Sequence, residues 1–430
     1  MIRKFLTPFQ NFIKIESLSG LLLVVTTAIA LICANSSANA FYYSILHYEL
    51  GITLNTFNFT KPVILWVNDG LMVIFFFLIG LEIKRELLIG ELNSIRKAAF
   101  PLVGAIGGML VPVVLFLILN QNPETQDAWG IPMATDIAFS LAVLNSLGKR
   151  VPLSLKIFLS AFAIVDDIGA VLIIALFYSS SLNIMLLLVA LLILIIMYFL
   201  SYRGIYSTVV LTFAGITVWF LFLKAGIHPT IAGILLAFAV PVRQSINTST
   251  FLESIQKVYE DIKRAPILKK PVLSNQQLQQ VENLEYIVRT FRSPLQSLED
   301  NLHGLVAYFI IPVFALANAG IGLQNLTTVD NFLVFNIAIC LVLGKGVGVS
   351  LIVLWAKKFK WITVPDNIDN RQIIGVSFLA GIGFTMAIFI GNLAFTSEIY
   401  LNSAKIGILI GSAIAAIVGF IILRSKPQII

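Results

Sequence analysis

Gly-Ile-Pro-Met-Ala-Thr-Asp at residues 130–136 and Ala-Ile-Val-Asp-Asp-Ile-Gly at residues 163–169 lie a helix apart in sequence that otherwise reads as lipid-soluble. Together they hold three carboxylates, Asp136, Asp166 and Asp167. An ionised aspartate at mid-bilayer costs about 2.5–3.5 kcal/mol even on lenient insertion scales. A chain that keeps three of them close together in such surroundings has a use for them.

The rest of the chain supplies those surroundings. Of its 430 residues 58% are hydrophobic and 12% charged, with a mean hydropathy of +0.94. That composition excludes a soluble globular domain and fits an all-α polytopic membrane protein. Apolar runs bounded by Pro, Gly or charge predict twelve helices, at 17–35, 62–88, 98–119, 127–147, 153–178, 183–201, 206–222, 226–241, 302–319, 332–356, 373–394 and 404–423. The runs 206–222 and 226–241 are short for full spans. Arg3, Lys4 and Lys14 before Leu21–Cys33, with Ala38-Asn-Ala40 beyond, resemble a signal peptide, but the charged lead is long and includes Glu16. A retained first span fits better. Cys33 and Cys340, the two cysteines, build neither a disulfide framework nor a metal cluster.

An even helix count puts both termini on one side. With that side cytoplasmic, its segments carry Lys84, Arg85, Arg96, Lys97, Lys149, Arg150, Arg203, Lys357, Lys358, Lys360, Arg371, Arg424 and Lys426, against Lys61, Lys224 and Lys405 opposite. The net charge of +7 therefore sets topology and calls for no nucleic-acid partner. A general attraction to anionic lipid headgroups follows from it. Residues 36–61, rich in β-formers, predict a short external hairpin. Residues 243–300 read as a cytosolic insertion with surface helices near 251–263 and 276–291.

Two helices are interrupted in matching ways. Helix 127–147 carries Pro132 and Thr135-Asp136 at its middle, and helix 373–394 carries Gly381-Ile-Gly-Phe-Thr385. Paired interruptions of this kind in two halves of a transporter point to a midplane site between inverted-topology repeats, here 98–178 and 332–423.

The chain resembles the NhaA-type sodium/proton antiporters over nearly its whole length. The resemblance rests on Trp66-Val-Asn-Asp-Gly-Leu-Met72, Phe77–Leu87, Ala99–Gly104, Ala134-Thr-Asp-Ile-Ala-Phe139, Val165-Asp-Asp-Ile-Gly169, Leu316-Ala-Asn-Ala-Gly320, Gly344-Lys345 and Gly381–Met386. Inverted repeats are a known property of that family, so the repeat reading is not independent of the resemblance. It implies a single membrane-embedded domain over 1–430 with two broken helices crossing near the midplane. The implied activity is pH-regulated export of sodium or lithium against protons by alternating access, and if two carboxylates release protons for each sodium bound the exchange is electrogenic. It further implies a bacterial inner-membrane location, a homodimer and no cofactor, and the activity is not enzymatic.

Residue by residue, the resemblance implies that Asp167 binds sodium or a proton. Sodium, a hard cation, takes oxygen ligands, and crowding carboxylates in low dielectric favours a proton on one of them. Asp166 is implied to pair with Lys345, deep in a span and in need of a partner; a bridge that only holds helices together is an equal reading. Asp136 is read as compensating the positive end of a half-helix, ahead of direct ion ligation. Thr135 either lends an oxygen or bonds its own helix. Gly381, Gly383 and Thr385 support the second break. Glu82, Arg85 and Glu299 are implied in a cytoplasmic funnel and pH response, beside the plainer reading of Glu82, Lys84, Arg85 and Glu86 as a solvated, ion-paired helix end. His228 and His303 are titratable near neutral pH in principle, and the resemblance gives them modulation at most.

The sequence departs from the family's usual pattern where Asp300 follows Glu299, Gly304 follows His303 and Gly346 follows Lys345, and the 243–300 loop is longer. These departures fall outside the carboxylate core. A sodium-coupled symporter of an organic anion is the alternative, disfavoured by a compact acidic cluster with one lysine. An aspartyl protease lacks its Gly-x-Gly-Asp pattern, and broken helices disfavour a passive channel.

Overall fold

A computed structural model describes residues 8–54, 57–178, 182–243, 246–264, 274–322 and 329–425. Arg3 and Lys4 of the signal-peptide reading and Lys426 of the topology reading lie outside the described residues, as do parts of the hairpin and of the 243–300 insertion.

Among the described residues nine helices are long and apolar enough to cross a bilayer, and a bent pair, Asn370–Ala380 and Phe384–Ala394, makes a tenth at 41°. Two of the twelve expected helices take other forms. The run 127–147 is not continuous: a 3-10 helix, Pro123–Met133, leads into extended backbone at Ala134 and Asp136, and Ile137–Ser146 follows. Pro132 lacks the N–H that an α-helix would use there, and Asp136 starts a new helix as its N-cap. The run 226–241 contains Thr230–Phe238, 9 residues and too short to cross alone. The neighbouring Thr208–Ala225 has the length and hydropathy of a span.

Other helices start before their apolar runs. The first begins at Pro8, the ninth expected helix at Pro294 and the last at Glu398. Each extension carries an acid, Glu16, Glu299 or Glu398. The first helix is anchored in the bundle by fully buried Leu23, Ala30 and Ala34 and by Ser19 Oγ donating to the Ala307 carbonyl at 2.8 Å.

After a short helix, Asn39–Leu46, the expected hairpin pairs Glu49–Leu54 antiparallel with Phe57–Pro62. Trp66 Nε1 donates to the Leu50 carbonyl at 2.9 Å, which ties the hairpin to the span Val63–Leu88. In the insertion, Thr248–Arg264 and Asn275–Phe291 form a helical hairpin closed by a stack of Phe251 on Phe291 with centroids 3.8 Å apart.

Without a hydrophobic drive between helices in lipid, close backbone approach does the packing. Ile95–Leu119 and Asn331–Lys358 meet glycine to glycine: a Cβ on Gly107 would lie 2.9 Å from the Gly348 carbonyl oxygen, and one on Gly348 2.8 Å from that of Gly107. This contact fixes the helix that carries Lys345 against the centre of the bundle.

Candidate functional site

The two interrupted helices cross at their breaks. The Asp136 N–H donates to the Ile382 carbonyl at 2.7 Å. A Cβ on Gly383 would stand 3.0 Å from the Ala134 carbonyl oxygen, so glycine lets the two breaks touch. Asp136 then serves both half-helices. Its Oδ1 accepts from the Phe139 N–H at 3.0 Å, the first turn of Ile137–Ser146. Its Oδ2 accepts the Thr385 N–H at 3.1 Å and the Thr385 hydroxyl at 2.6 Å, the first turn of Phe384–Ala394. One carboxylate thus caps two helix N-termini, where the dipoles and free N–H groups favour negative charge.

Opposite ends are treated in kind. Thr135 Oγ1 donates to the Ala380 carbonyl at 2.9 Å and Ser140 Oγ to the Leu379 carbonyl at 2.9 Å, which satisfies the freed C-terminal carbonyls of Asn370–Ala380. Ser412 Oγ accepts the N–H groups of Gly383 and Phe384 at 3.3 and 3.2 Å. The Thr135 hydroxyl therefore bonds across the crossing and not to its own helix. Ser140 and Ser412 went unnoticed in the sequence; a small hydroxyl one turn after a break is the local sign of Ser140, and Ser412, in the unbroken helix Glu398–Arg424, carries none.

Beside the crossing stands the charge pair. Lys345, at a widened π-turn over Cys340–Lys345, donates from Nζ to Asp166 Oδ2 at 2.6 Å and to Thr135 Oγ1. Lys345 and Asp166 are both wholly buried, and the Phe162 ring centre lies 5.8 Å from Nζ. Asp166 Oδ1 is left without a partner among the described residues.

Asp167 follows on the helix Leu153–Phe177, turned about 100° away. It is 6% exposed, and no hydrogen bond to it is found among the described residues. Asp166, Glu82 and Asp136 act on it as like charges and Lys345 as the counter-charge. Among the described residues no three His, Cys, Asp or Glu side chains converge as a resident metal centre would need.

The acidic end of Val63–Leu88 is less solvated than a plain helix end. Glu82 is buried, with His303 Nδ1 3.8 Å from its Oε1, and His303 Nε2 lies 3.3 Å from Glu16 Oε1. Arg85 bridges Glu86 at 3.0 Å and Glu299 at 3.2 Å. Lys84 donates to the Phe238 carbonyl at 2.7 Å and so closes the short helix Thr230–Phe238. Glu16 is the member that the sequence did not single out, since nothing local links it to residues 82 and 303.

At the other end of that span Asp69 binds Lys61 at 2.7 Å and faces His228 Nε2 at 3.8 Å, while His228 Nδ1 meets Thr230 Oγ1 at 2.7 Å. Burial pushes His228, which lies between helices, down to about 4, with Asp69 pulling the other way. Its imidazole is therefore uncharged at neutral pH. Asn318 exchanges hydrogen bonds with Asn68 at 2.8 and 3.2 Å and accepts one from Asn392 at 2.8 Å, which joins three helices on this side.

A family model described as Na+/H+ antiporter 1 matches residues 10–423. The chain is 42% identical to the Na(+)/H(+) antiporter NhaA of Oleidesulfovibrio alaskensis, over 98% of this chain and 95% of that one. It is 42% identical to the Na(+)/H(+) antiporter NhaA of Bacteroides fragilis, over 97% and 98%, respectively. The Na(+)/H(+) antiporter NhaA 1 of Aliarcobacter butzleri is 41% identical, over 98% and 97%.

Proposed function

The chain belongs to the Na+/H+ antiporter 1 family, and we propose that it exchanges its two ions at Asp167, with Asp166 and Lys345 as the charge-balancing pair. The protein is a Na+/H+ antiporter and a multi-pass bacterial membrane protein.

One observation carries the choice of site. Of the three mid-span carboxylates, Asp136 is committed to two helix caps and Asp166 to Lys345, whereas Asp167 has no hydrogen bond among the described residues. An acid with uncommitted oxygens at the edge of a buried cluster takes either a proton or a sodium ion, and not both, and that exclusion couples the two ions. Each ion also offsets the like charges of Asp166, Glu82 and Asp136.

Alternating access at the crossing then carries either ion over the membrane. The short contacts at Ala134–Asp136 and Gly381–Gly383 keep the two half-helix pairs in register while they move against the rest of the bundle. If two protons leave for each sodium bound, each cycle moves net charge and gains about 2.3 kcal/mol per charge for every 100 mV. Lithium, of the same charge and hardness, is a second cargo, and the exchange uses no cofactor and is not enzymatic.

The wider reading has one domain over 1–430, with the short helix and the two broken elements completing twelve segments. Residues 98–178 and 332–423 are its inverted repeats, and 243–300 forms a cytoplasmic appendage. Both termini are cytoplasmic in an inner membrane, two chains assemble as a dimer, and the pH response lies with Glu82, Arg85, Glu86, Glu299 and His303. The distribution of Lys and Arg supports the orientation.

The test is sodium/proton exchange in everted vesicles at stepped pH, for wild type and Asp167→Asn. Exchange at background in the variant is expected; wild-type exchange would discard the site. Proteoliposomes clamped with valinomycin test the charge movement, and indifference to imposed voltage would discard it.

A further inference from the structure

The cytoplasmic end of the half-helix Ile137–Ser146 and the end of the last helix, Glu398–Arg424, enclose a cleft of about 410 Å³ that the exchange reading does not use. Its walls bring together Lys149, Arg150 and Arg424, with Phe420 beside them. Among the described residues none of these three cations has an ion-pair partner. Gly148 adopts φ +57°, a left-handed turn that folds Lys149 and Arg150 back beside the last helix. Arg150 Nη1 donates to the Arg424 carbonyl at 3.3 Å, and the Arg424 guanidinium lies 5.9 Å from the Phe420 ring centre. The turn and these two contacts position the cations around one hollow.

Three neighbouring positive charges with no acid paired to them among the described residues select an anion, and planar guanidinium groups suit a phosphate. The surface below the cleft selects the kind. Ile410, Ile414, Ile417 and Ile421 of the last helix are all exposed, at a spacing that makes one ridge running from the cleft toward mid-span. A headgroup in the cleft would lay its acyl chains along that ridge, which a free phosphate could not use. Basic pockets between helices at a cytoplasmic membrane surface bind acidic lipid headgroups by this combination.

We propose that this cleft is a binding site for the phosphate headgroup of an anionic glycerophospholipid. The bound lipid ties the half-helix that begins at Asp136 to the helix whose Ser412 holds the second break. The inference concerns a lipid site and stands apart from which residue carries sodium.

Native mass spectrometry of the full-length protein tests it, with phosphatidylglycerol and phosphatidylcholine titrated separately. Wild type should retain phosphatidylglycerol over phosphatidylcholine. Lys149→Gln, Arg150→Gln and Arg424→Gln together should lower that retention about 100-fold, and each alone about fivefold. The triple Lys358→Gln, Lys360→Gln and Arg371→Gln, on the same side but outside the cleft, should leave it at the wild-type level. Equal loss in both triples would reduce the effect to general surface charge and overturn the site. So would equal retention of the two lipids by wild type, or displacement of phosphatidylglycerol by millimolar inorganic phosphate, which would mark a free-anion site. Should the cleft triple fail to fold, exposed Lys149→Gln alone carries the test, and unchanged retention there overturns the proposal.

Discussion

The helix crossing and the aspartate doublet hold carboxylates of one chemical kind and use them in opposite ways. At the crossing, Asp136 accepts three hydrogen bonds that close two half-helices. On the helix Leu153–Phe177, Asp166 accepts one charged donor on one oxygen, and Asp167 accepts none among the described residues. An acid whose oxygens are committed holds backbone together. An acid left open in a buried, negatively charged setting is available to a mobile cation. On the proposed reading the first region holds structure and the second exchanges ions, and each role can be broken separately.

The largest effect is expected at the open acid. Asp167→Asn should take exchange to background, a loss of more than about 100-fold if the carboxylate is the coupling group, while the unfolding temperature in detergent holds or rises. Retained exchange, or a collapse of stability, would reverse the roles of the two regions.

The pair beside it comes next. Lys345→Met leaves Asp166 buried without its counter-charge, a change that costs about 3–5 kcal/mol where both partners stay dry. Adding Asp166→Asn should return much of that stability without returning exchange, as measured by thermal unfolding and by vesicle assay. A double variant as unstable as the single one would mean that Lys345 is held by something other than Asp166.

A smaller effect belongs to the crossing. Asp136→Ala strips two helix N-termini of their acceptor and should cost about 2–3 kcal/mol. Asp136→Asn keeps an acceptor and should cost less. If the two variants were equally stable but both inactive, Asp136 would belong with the exchange site.

The smallest effect on exchange is at His228, where the sign can be worked out. Burial lowers its folded value from 6.5 to about 4, so folding favours the neutral ring. The stability it contributes is present above about 6.5 and is lost as the pH falls through about 4. His228→Gln should therefore flatten the decline of stability across that window by about 3 kcal/mol, read from thermal unfolding at stepped pH. Its exchange profile near neutral pH should match wild type, whereas His303→Gln, between Glu16 and Glu82, should displace the profile. A displaced neutral profile in His228→Gln would move the pH response to the other face of the protein.

Much of this was legible in the sequence because membrane burial is a strong local filter. Apolar runs give spans, and a polar group inside one needs a reason. That logic singled out the doublet, Lys345 and both breaks, and β-propensity marked the hairpin. The same logic placed the break of 127–147 at Pro132 and Thr135-Asp136 but not the 3-10 form of Pro123–Met133 before it, because hydropathy does not register which hydrogen-bond pattern a short polar lead will take. It overlooked Glu16, Ser140 and Ser412, whose roles depend on partners in other helices.

By itself the sequence determined a membrane-embedded, all-α chain with carboxylates and one lysine kept inside it, since transfer cost alone fixes which segments enter lipid and which residues must be compensated there. Only the tertiary structure decided how the compensation is shared. Asp136 and Thr385 are 249 residues apart, and Lys345 and Asp166 are 179 apart. Hydrogen-bond geometry operates over about 3 Å, so which acid is committed and which is left open is settled only when those distant segments meet.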